Sequence, residues 1–373
     1  MKFELNLETN LLQLQKELKN RTYIPKRSIC FIITYPKIRE IFAADFSDRV
    51  IHHLLVAQIE PYFEKTFIYN SFACRKRKGA HKALKKLRQG LDKITKNLTR
   101  PVFYAQFDIQ SFFTSIDKMI LYKTIQLKIS RLKRNQDWKK EILYLLRTII
   151  FHDPTKNYVV NGEKALYDRL PLQKSLFGVR AGMGLPIGNL TSQFFANVYL
   201  DNLDQFIKRG LKAKYYFRYV DDLVLLSDDL NELKKWRGEI GQFLGEKLKL
   251  RLHPDKDKYG LVSQGIDFIG YIIKPNYVLS RKRVVDNLKT KLHYFNQGLL
   301  LVSNNQKVET LPLKTPSGKE EIRKVTAMIN SYYGHFRHAN CYRLRKSLWK
   351  KNFGILKEYL EPINNYSYFK KII

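Results

Sequence analysis

Cysteine is scarce in this chain, which has 3 in 373 residues. Cys30, Cys74 and Cys341 are far apart, odd in number and not spaced as zinc ligands, so the sequence predicts reduced thiols rather than a disulfide framework or a zinc site. The sequence also has no run of 18 or more apolar residues and no signal-peptide pattern. We therefore expect a cytoplasmic protein without a membrane partner.

Acidic residues are scarce as well, with 34 Asp and Glu against 68 Lys and Arg, which gives a formal net charge of +34. Such an excess of positive charge repels itself unless a polyanion is bound, so nucleic acid is the expected partner. The length fits two or three subdomains. No internal repeat or low-complexity tract interrupts the chain.

Against this basic background, the stretch from Tyr215 to Leu226 contains an acidic pair. Aromatic and β-branched residues precede Asp221 and Asp222, and apolar residues follow them. This pattern predicts a strand, a tight turn and a second strand, with the acids at the tip. Two carboxylates between buried strands repel each other and are costly to desolvate, so a basic side chain or a divalent metal should compensate them. An acidic turn without a function is the alternative, because Asp favours turns.

A second acidic position lies at the end of another apolar and aromatic run. Asp108 ends the predicted strand that starts near Pro101 and precedes a predicted helix. Two or three carboxylates together with substrate phosphates suffice to hold a pair of Mg²⁺ ions about 4 Å apart. The sequence therefore indicates a phosphoryl-transfer site built from Asp108, Asp221 and Asp222.

Five motifs follow one another in the order of the palm motifs of reverse transcriptases, and the chain resembles that family. They are Asp108 with Phe113 five positions later, residues 184–193, residues 219–222, Lys256 and residues 268–271. The resemblance implies an α+β right-hand polymerase with an N-terminal region and fingers (1–100), a palm that contains a small antiparallel sheet and fingers insertions (101–274), and an α-helical thumb (275–373). It also implies an RNA-directed DNA polymerase that uses an RNA template, a DNA or RNA primer and dNTPs.

The resemblance further implies which residues act at the site. Two Mg²⁺ ions, for which Mn²⁺ can substitute, would be held by Asp108 and Asp221, with Asp222 assisting and Ile109 as a further ligand position. Lys256 would lie near the triphosphate, with Lys258 as the alternative. Further nucleotide contacts are expected from Arg75, Phe113, Ile187 and Gly188, and nucleic-acid contacts from Arg77, Lys78, Lys82, Lys85, Asn189, Gln193, Tyr219 and Gly270.

Two of these expectations have a purely structural alternative. Phe113 would abut the sugar and select deoxynucleotides, or it would pack in the core beside Phe112. The basic run from Arg75 to Lys86 would grip template and triphosphate, since guanidinium binds phosphate oxygens bidentately, or it would be a solvated surface. The residues alone leave both choices open.

The glycine motif departs from the commonest form in reverse transcriptases, which have Gln before the glycine and end the motif with Ser-Pro. Here Ile187 precedes Gly188 and Gln193 follows Ser192. This form, and the stretch 331–345, resemble reverse transcriptases of diversity-generating retroelements, which implies a prokaryotic or phage origin, a structured template RNA and a small basic accessory protein. Because isoleucine makes no side-chain hydrogen bond, we expect low copying fidelity. The resemblance implies that the errors occur mainly opposite template adenines.

The spacing of apolar residues predicts further strands and helices, and other functions are also compatible with the sequence. Apolar spacing predicts a strand over 29–35, helical segments over 39–61, a helix from 189 to 200, a strand over 248–256 ending at proline, and thumb helices over 282–299, 319–336 and 342–360. Because no Cys/His cluster or second acidic triad follows the thumb pattern in this sequence, we expect no ribonuclease H or nuclease domain. A group II intron-like, retron or abortive-infection reverse transcriptase, a non-enzymatic RNA-binding protein and a basic scaffold of an RNA–protein particle are the alternatives.

Overall fold

The computed structural model describes residues 2–34, 37–163, 165–304 and 316–372. Contacts within the chain divide it into two compact units. The first contains the residues up to 83 and residues 103–259, and the second contains residues 84–102 and 260–373. The predicted boundaries near residues 100 and 274 between fingers, palm and thumb stay a prediction.

A four-stranded sheet with the order β5-β6-β3-β7 is the centre of the first unit. The central strand β6 pairs antiparallel with β5 on one side and with β3 on the other. Apolar side chains bury most of β6 and the middle of β3, which explains why these residues form interior strands. The strands are β3 (Phe103–Asp108), β5 (Tyr215–Tyr219), β6 (Asp222–Ser227) and β7 (Lys258–Leu261).

A second sheet of the first unit has β1 at its centre. It is formed by β1 (Ser28–Ile33), β2 (Arg39–Ala43), which is antiparallel to β1, and β4 (Tyr158–Val160), which is parallel to it. The prediction of a strand that begins near residue 29 is confirmed, although its expected end at residue 35 lies outside the described residues. The helical prediction for 39–61 is wrong for its first five residues, because they pair with β1 along their whole length.

Helices enclose the four-stranded sheet. The long helix α9 is buried on nearly every side, and α3 and α6 pack against it. A helix that is buried all round must pair its polar side chains internally. The predicted helix that begins near residue 189 is confirmed. The helices up to residue 248 are α1 (Lys2–Leu5), α2 (Leu7–Lys19), α3 (Phe46–Glu64), α4 (Ala80–Ile94), α5 (Phe112–Ser115), α6 (Lys118–Ser130), α7 (Gln136–Phe151), α8 (Ala165–Asp168), α9 (Leu190–Gln205) and α10 (Leu230–Leu248).

The second unit combines two small antiparallel sheets with three helices. Strands β8 (Ile266–Phe268) and β9 (Tyr271–Ile273) form an antiparallel hairpin that contains the motif residues 268–271, and β10 (Val278–Ser280) pairs with β9. The helices are α11 (Lys282–Asn304), α12 (Pro316–Phe336) and α13 (Tyr342–Asn352). The last helix ends eight residues before its predicted end at 360, and the unpredicted hairpin of β11 (Leu360–Ile363) and β12 (Tyr368–Lys371) follows.

Each unit has its own apolar core. None of the helices within the described ranges is long and apolar enough to cross a membrane.

Candidate active site

The four-stranded sheet brings two of the predicted acids together. Strands β3 and β6 run antiparallel in a register that places Asp108 directly opposite Asp222. Residues directly opposite each other in an antiparallel pair have side chains on the same face of the sheet. The carboxylates therefore share one face at the end of β3, although they are far apart in the chain.

The turn between β5 and β6 carries the third acid. Tyr219 pairs with Asp222, so only Val220 and Asp221 lie between the two paired residues. Val220 has a φ of 56°, a left-handed backbone conformation in which a β-branched residue is strained. The predicted strand, tight turn and strand are confirmed, with the acids at the tip.

Burial and mutual repulsion act on the acids of the turn. Burial is the main cause that raises the pKa of Asp221 to about 6, and the charge of Asp108 raises it further. Burial raises the pKa of Asp222 to about 7, with additional repulsion from Asp221 and Asp108. Buried carboxylates that share a site in this way remain ionised only where positive charge is near. The cluster therefore favours a bound cation.

Three basic side chains partly offset this negative charge. The ammonium group of Lys256 contacts an Asp108 carboxylate oxygen. The charge of Arg39 lowers the pKa of Asp221, and that of Lys37 lowers the pKa of Asp222. Lys37 lies in the connection from β1 to β2 and Arg39 is the first residue of β2; neither was predicted. Two cations one residue apart, between two apolar stretches, were the only sequence signal that could have indicated them.

Lys256 reaches the site from a loop and not from the predicted strand. Helix α10 ends at Leu248, and within residues 249–256 only Leu252 forms an isolated bridge, with Ile109. A 3₁₀ turn over Pro254–Lys256 follows. The strand prediction for 248–256 is therefore wrong, whereas the expected lysine does lie beside the first acid.

Lys258, the alternative to Lys256, is exposed at the start of β7. The loop before it is fixed to β3, because the His253 N–H donates to the Asp108 carbonyl oxygen over 2.8 Å. The geometry thus favours Lys256 over Lys258 as the lysine that acts at the carboxylates.

The donor set has the chemistry of a Mg²⁺ site, since carboxylate oxygens are hard ligands that this ion prefers. Within the described ranges, no three His, Cys, Asp or Glu side chains are already arranged so that they could hold a metal ion. The ammonium of Lys256 is the present counter-charge of Asp108. Ile109 has a buried side chain without a donor atom, so only its carbonyl oxygen is available as a ligand.

The glycine motif is fixed to strand β2. The Phe42 N–H donates to the Ile187 carbonyl oxygen over 2.9 Å. Gly188 has a φ of 126°, and a Cβ at this position would lie 2.8 Å from Ile41 and 3.0 Å from the Phe42 carbonyl oxygen. Only glycine fits this close approach without strain.

Three other residues expected to contact nucleic acid differ in exposure. Asn189 is buried, and its side-chain oxygen accepts a hydrogen bond from the Ala44 N–H over 3.1 Å. It therefore holds the glycine motif against the segment that follows β2. Gln193 is exposed on α9, and Tyr219 is half-buried on β5. Gln193 thus remains available to a ligand.

The structure distinguishes the two adjacent phenylalanines. Phe112 is 2% exposed and belongs to the core, whereas Phe113 is half-buried, with ring centroids 5.3 Å apart. The Phe113 carbonyl oxygen accepts a hydrogen bond from the Leu185 N–H over 2.8 Å. Phe113 also packs against the core that contains Phe112, so the choice between contact with a sugar and core packing stays a prediction.

Arg75 lacks the exposed guanidinium that a phosphate contact requires. Its side chain is 4% exposed and donates to the Glu64 carboxylate, with a shortest distance of 2.6 Å. It also donates to the carbonyl oxygens of Ile68 and Ser71 over 2.7 and 2.8 Å. We therefore correct the assignment of Arg75 to phosphate contact, because its charge is neutralised inside the fold.

The other basic residues near Arg75 differ in exposure. Arg77 is exposed and has a φ of 59°. Lys78 lies 3.5 Å from the centroid of the Tyr69 ring, and Lys82 donates to the Arg77 carbonyl oxygen over 3.1 Å. Arg77 is therefore the best placed of the three for a phosphate.

In the second unit, Lys85 is exposed on α4. Gly270, at the tip of the hairpin formed by β8 and β9, has a φ of 90°. A Cβ at Gly270 would lie 3.2 Å from the ring of His335, which stacks on Tyr271 with centroids 4.1 Å apart. The hairpin tip is thus packed against the end of α12.

A groove of about 470 Å³ lies beside Gly188 in the first unit. Its walls combine apolar side chains of β1 and β2 with polar and basic groups of α3 and of the glycine motif. The lining residues are Ile29, Phe31, Ile41, Ala43, Arg49, His52, His53, Asn161, Gly188, Asn189 and Leu190. This mixture suits an unpaired base with its phosphate.

Comparison with known proteins agrees with this geometry. The family described as Reverse transcriptase (RNA-dependent DNA polymerase) matches residues 24–273. The chain is 23% identical to Protein YkfC of Escherichia coli over 301 residues, which cover 72% of this chain and 70% of that protein. It is also 23% identical to the Group II intron-encoded protein LtrA of Lactococcus lactis subsp. cremoris over 308 residues, or 72% of this chain and 50% of LtrA. The chain thus spans about half the length of LtrA.

Among solved structures, the apo telomerase of Candida tropicalis has a TM-score of 0.51 with this chain at 13% identity. The match covers 89% of this chain and 58% of that chain. The likeness concerns the fold alone, and it confirms the expected α+β polymerase class with small antiparallel sheets and helices.

Proposed function

This chain belongs to the reverse transcriptase family, and we propose that it extends a DNA or RNA primer with dNTPs along an RNA template. The observation that carries the proposal is the convergence of Asp108, Asp221 and Asp222 at one end of the β5-β6-β3-β7 sheet. Burial, together with repulsion among the acids, raises the pKa of Asp221 to about 6 and that of Asp222 to about 7, which supports a cation-binding role.

Asp108 and Asp221 would hold two Mg²⁺ ions, with Asp222 assisting and Mn²⁺ as a substitute. When bound, these ions supply a lowered pKa at the primer 3′-hydroxyl and neutralise charge on the phosphates. The residues of the chain orient the reactants around them. Lys256, whose ammonium group contacts Asp108, would balance the charge of a departing pyrophosphate.

Lys37 and Arg39 extend the positive field of the site. Both act electrostatically on the acids of the turn, so a triphosphate held by the acids through metal ions would lie within their reach. Arginine binds phosphate oxygens bidentately, whereas lysine acts as a point charge. We therefore assign the triphosphate contact to Arg39 and Lys37 in place of Arg75.

The groove beside Gly188 suits the templating RNA. Its apolar wall, to which Phe31 and Ile41 contribute, offers a surface for a base, and Arg49 supplies charge for the backbone. Ile187 precedes Gly188, which lines this groove. Phe113 would abut the sugar of the incoming nucleotide and select dNTPs. Arg77, Lys78, Lys82, Lys85, Gln193, Tyr219 and Gly270 remain proposed contacts to template or primer.

Primer extension tests the proposal directly. Purified protein is given an RNA template with an annealed DNA primer, dNTPs and Mg²⁺, and extension is compared among wild type, Asp108→Asn, Asp221→Asn and Asp137→Asn. Asp137, which is 91% exposed on α7, is a control with the same charge change. We expect Asp108→Asn and Asp221→Asn to fold but to lose nearly all primer extension, and Asp137→Asn to extend the primer as wild type does. Near-normal extension by Asp108→Asn or Asp221→Asn would refute the proposal, and an inactive wild type would favour a basic RNA-binding scaffold.

We further propose that the protein serves a diversity-generating retroelement, with a small basic accessory protein as partner and errors at template adenines. Support comes from Ile187, whose side chain offers no hydrogen bond at the position where the family motif would hold the incoming base pair. Deep sequencing of cDNA made by wild type and Ile187→Gln measures this, and equal error rates at adenines would remove the role of Ile187.

A group II intron-like reverse transcriptase is the second candidate, because LtrA is among the relatives. Wild-type cDNA without an excess of errors at template adenines would favour this candidate over the retroelement. The primer-extension result is expected to be the same for both.

A further inference from the structure

The strand that leads into the catalytic turn contains a buried arginine. Arg218 on β5 precedes Tyr219 and is 1% exposed. An ionised guanidinium is costly to remove from water unless it is paired and hydrogen-bonded. Its presence one residue before the turn motif therefore calls for a physical reason.

The partner of Arg218 is Asp204 on α9, which is 0% exposed. The Arg218 Nε donates to both carboxylate oxygens over 2.8 and 3.0 Å, and Nη2 donates over 2.6 Å. The Tyr216 hydroxyl donates to the same carboxylate over 2.8 Å. The pair is thus bidentate and closed to solvent.

The remaining amino group of Arg218 points at the turn. Its Nη1 donates to the Val220 carbonyl oxygen over 3.0 Å and to the Asn197 side-chain oxygen over 3.2 Å. Val220 holds the left-handed φ of 56°, a conformation that persists only where the surrounding structure enforces it. The carbonyl that Arg218 holds belongs to the peptide bond whose nitrogen is that of Asp221.

The same network reaches the segment that leads into the basic run. Asn197 donates to the Ala73 carbonyl oxygen over 2.9 Å. The Phe72 N–H donates to the Arg218 carbonyl oxygen, and the Arg218 N–H donates to the Asn70 carbonyl oxygen, over 3.1 and 2.9 Å. Arg218 therefore ties α9, residues 70–73 and the catalytic turn together.

We propose that Arg218 and Asp204 are positioning residues for nucleotide addition. Asp204 orients the guanidinium, and the guanidinium fixes the Val220 carbonyl oxygen and with it the direction of the Asp221 and Asp222 carboxylates. This inference rests on the proposed function, because it takes those carboxylates as the cation-binding groups. Buried ion pairs are often replaceable by apolar residues without loss of stability, so folding alone does not explain the pair. The hydrogen bond that Arg218 directs at the Val220 carbonyl oxygen explains it.

The test uses a double variant, Arg218→Met with Asp204→Leu, which removes both charges and leaves neither one buried alone. Tyr216→Phe is the matched control, because it removes one hydrogen bond to Asp204 and leaves the bond to Val220 intact. Arg218→Lys keeps a positive charge but not the fork that serves both partners. Folding is checked by thermal unfolding, and single-nucleotide addition is measured per active site as a function of Mg²⁺ concentration.

We expect the double variant and Arg218→Lys to add a nucleotide about 10-fold to 100-fold more slowly per active site, or to need that much more Mg²⁺, as when a residue that supports a metal ligand is lost. Affinity for primer–template should stay within about twofold of the wild-type value, because the basic surface is unchanged. Tyr216→Phe should behave as wild type. A merely structural role would lower the fraction of active protein and leave the rate per site and the Mg²⁺ dependence unchanged.

Wild type and Asp221→Asn accompany these variants. If wild type is active, Asp221→Asn is inactive and either Arg218 variant keeps the wild-type rate and Mg²⁺ dependence, the positioning role is refuted and the proposed function stands. If Asp221→Asn remains active, the proposed function fails first. If the double variant does not fold, the result for Arg218→Lys decides.

Discussion

Gly188→Ala should impair nucleotide addition far more than Gly182→Ala, a change in the same loop. At Gly188 the backbone has a φ of 126°, and a new Cβ would meet Ile41 at 2.8 Å and the Phe42 carbonyl oxygen at 3.0 Å. Real Cβ contacts are not that short, so the loop or β2 must shift. Gly182, which precedes Gly188 in the chain, also has a positive φ of 80°, but a Cβ there would meet nothing within 4 Å.

The magnitude follows from two separate costs. A non-glycine residue at a sparsely populated backbone position costs about 1–3 kcal/mol, and this applies to both glycines. Only Gly188→Ala adds overpacking against β2, which costs about 1–3 kcal/mol. Since the loop is held by the bond from the Phe42 N–H to the Ile187 carbonyl oxygen, the added methyl should displace Ile187. A displacement of about 1 Å near reacting groups can reduce a rate about 100-fold.

The assay is single-nucleotide addition to a saturating RNA–DNA primer–template, together with thermal unfolding of both variants. We expect Gly182→Ala to lower stability modestly and to keep near-normal addition, whereas Gly188→Ala loses both stability and addition. If the two variants show the same rate, the contact of Gly188 with β2 does not shape the nucleotide site.

Two further predictions concern charge. Burial, and next the charge of His152, lowers the pKa of His52 to about 4. The stability that neutral His52 contributes is therefore full above its ordinary pKa of 6.5 and is lost as pH falls toward 4, by about 3 kcal/mol in all. We expect His52→Gln to flatten the fall in stability between pH 6.5 and 4.5 and exposed His53→Gln to leave it unchanged; equal stability curves for the two variants would contradict the assignment. Arg39→Gln should raise the KM for dNTPs about tenfold and leave primer–template affinity unchanged, as expected for the loss of one charged phosphate contact, and an unchanged KM would place the triphosphate elsewhere.

The sequence predicted the hairpin of the candidate site because the signals for it lie within a few neighbouring residues. An apolar run, a tight turn and a second apolar run define the hairpin around Asp221 without reference to the remaining chain. The convergence of Asp108 on this hairpin was different, since it depended on the order of five motifs. The register that sets Asp108 opposite Asp222 is fixed by which faces of β3 and β6 are buried.

The errors share a physical origin in partners that are distant in sequence. The basic run predicts a phosphate contact for Arg75, yet Glu64 on α3 neutralises its charge. Five residues are too few to distinguish the helical period of 3.6 from the strand period of 2, and pairing with β1 makes residues 39–43 a strand. The proposed contact of Arg39 could not be predicted from sequence either, since only the fold brings Arg39 near the acids.

The two faces of the β5–β6 hairpin balance charge in opposite ways, so the same chemical change should have opposite effects on stability. Asp222 is destabilised by burial and by two neighbouring acids, and a pKa of about 7 corresponds to a penalty of at most about 4 kcal/mol at pH 8 in the absence of metal. Asp204 is buried with a full set of hydrogen bonds from Arg218, and removal of one partner of such a pair costs about 3–5 kcal/mol. In a chelating buffer, the unfolding temperature of Asp222→Asn should therefore be higher than that of wild type, and that of Asp204→Asn should be much lower. Shifts of the same sign would mean that the acids of the turn are compensated within the fold, and the argument that they favour a cation would then fail.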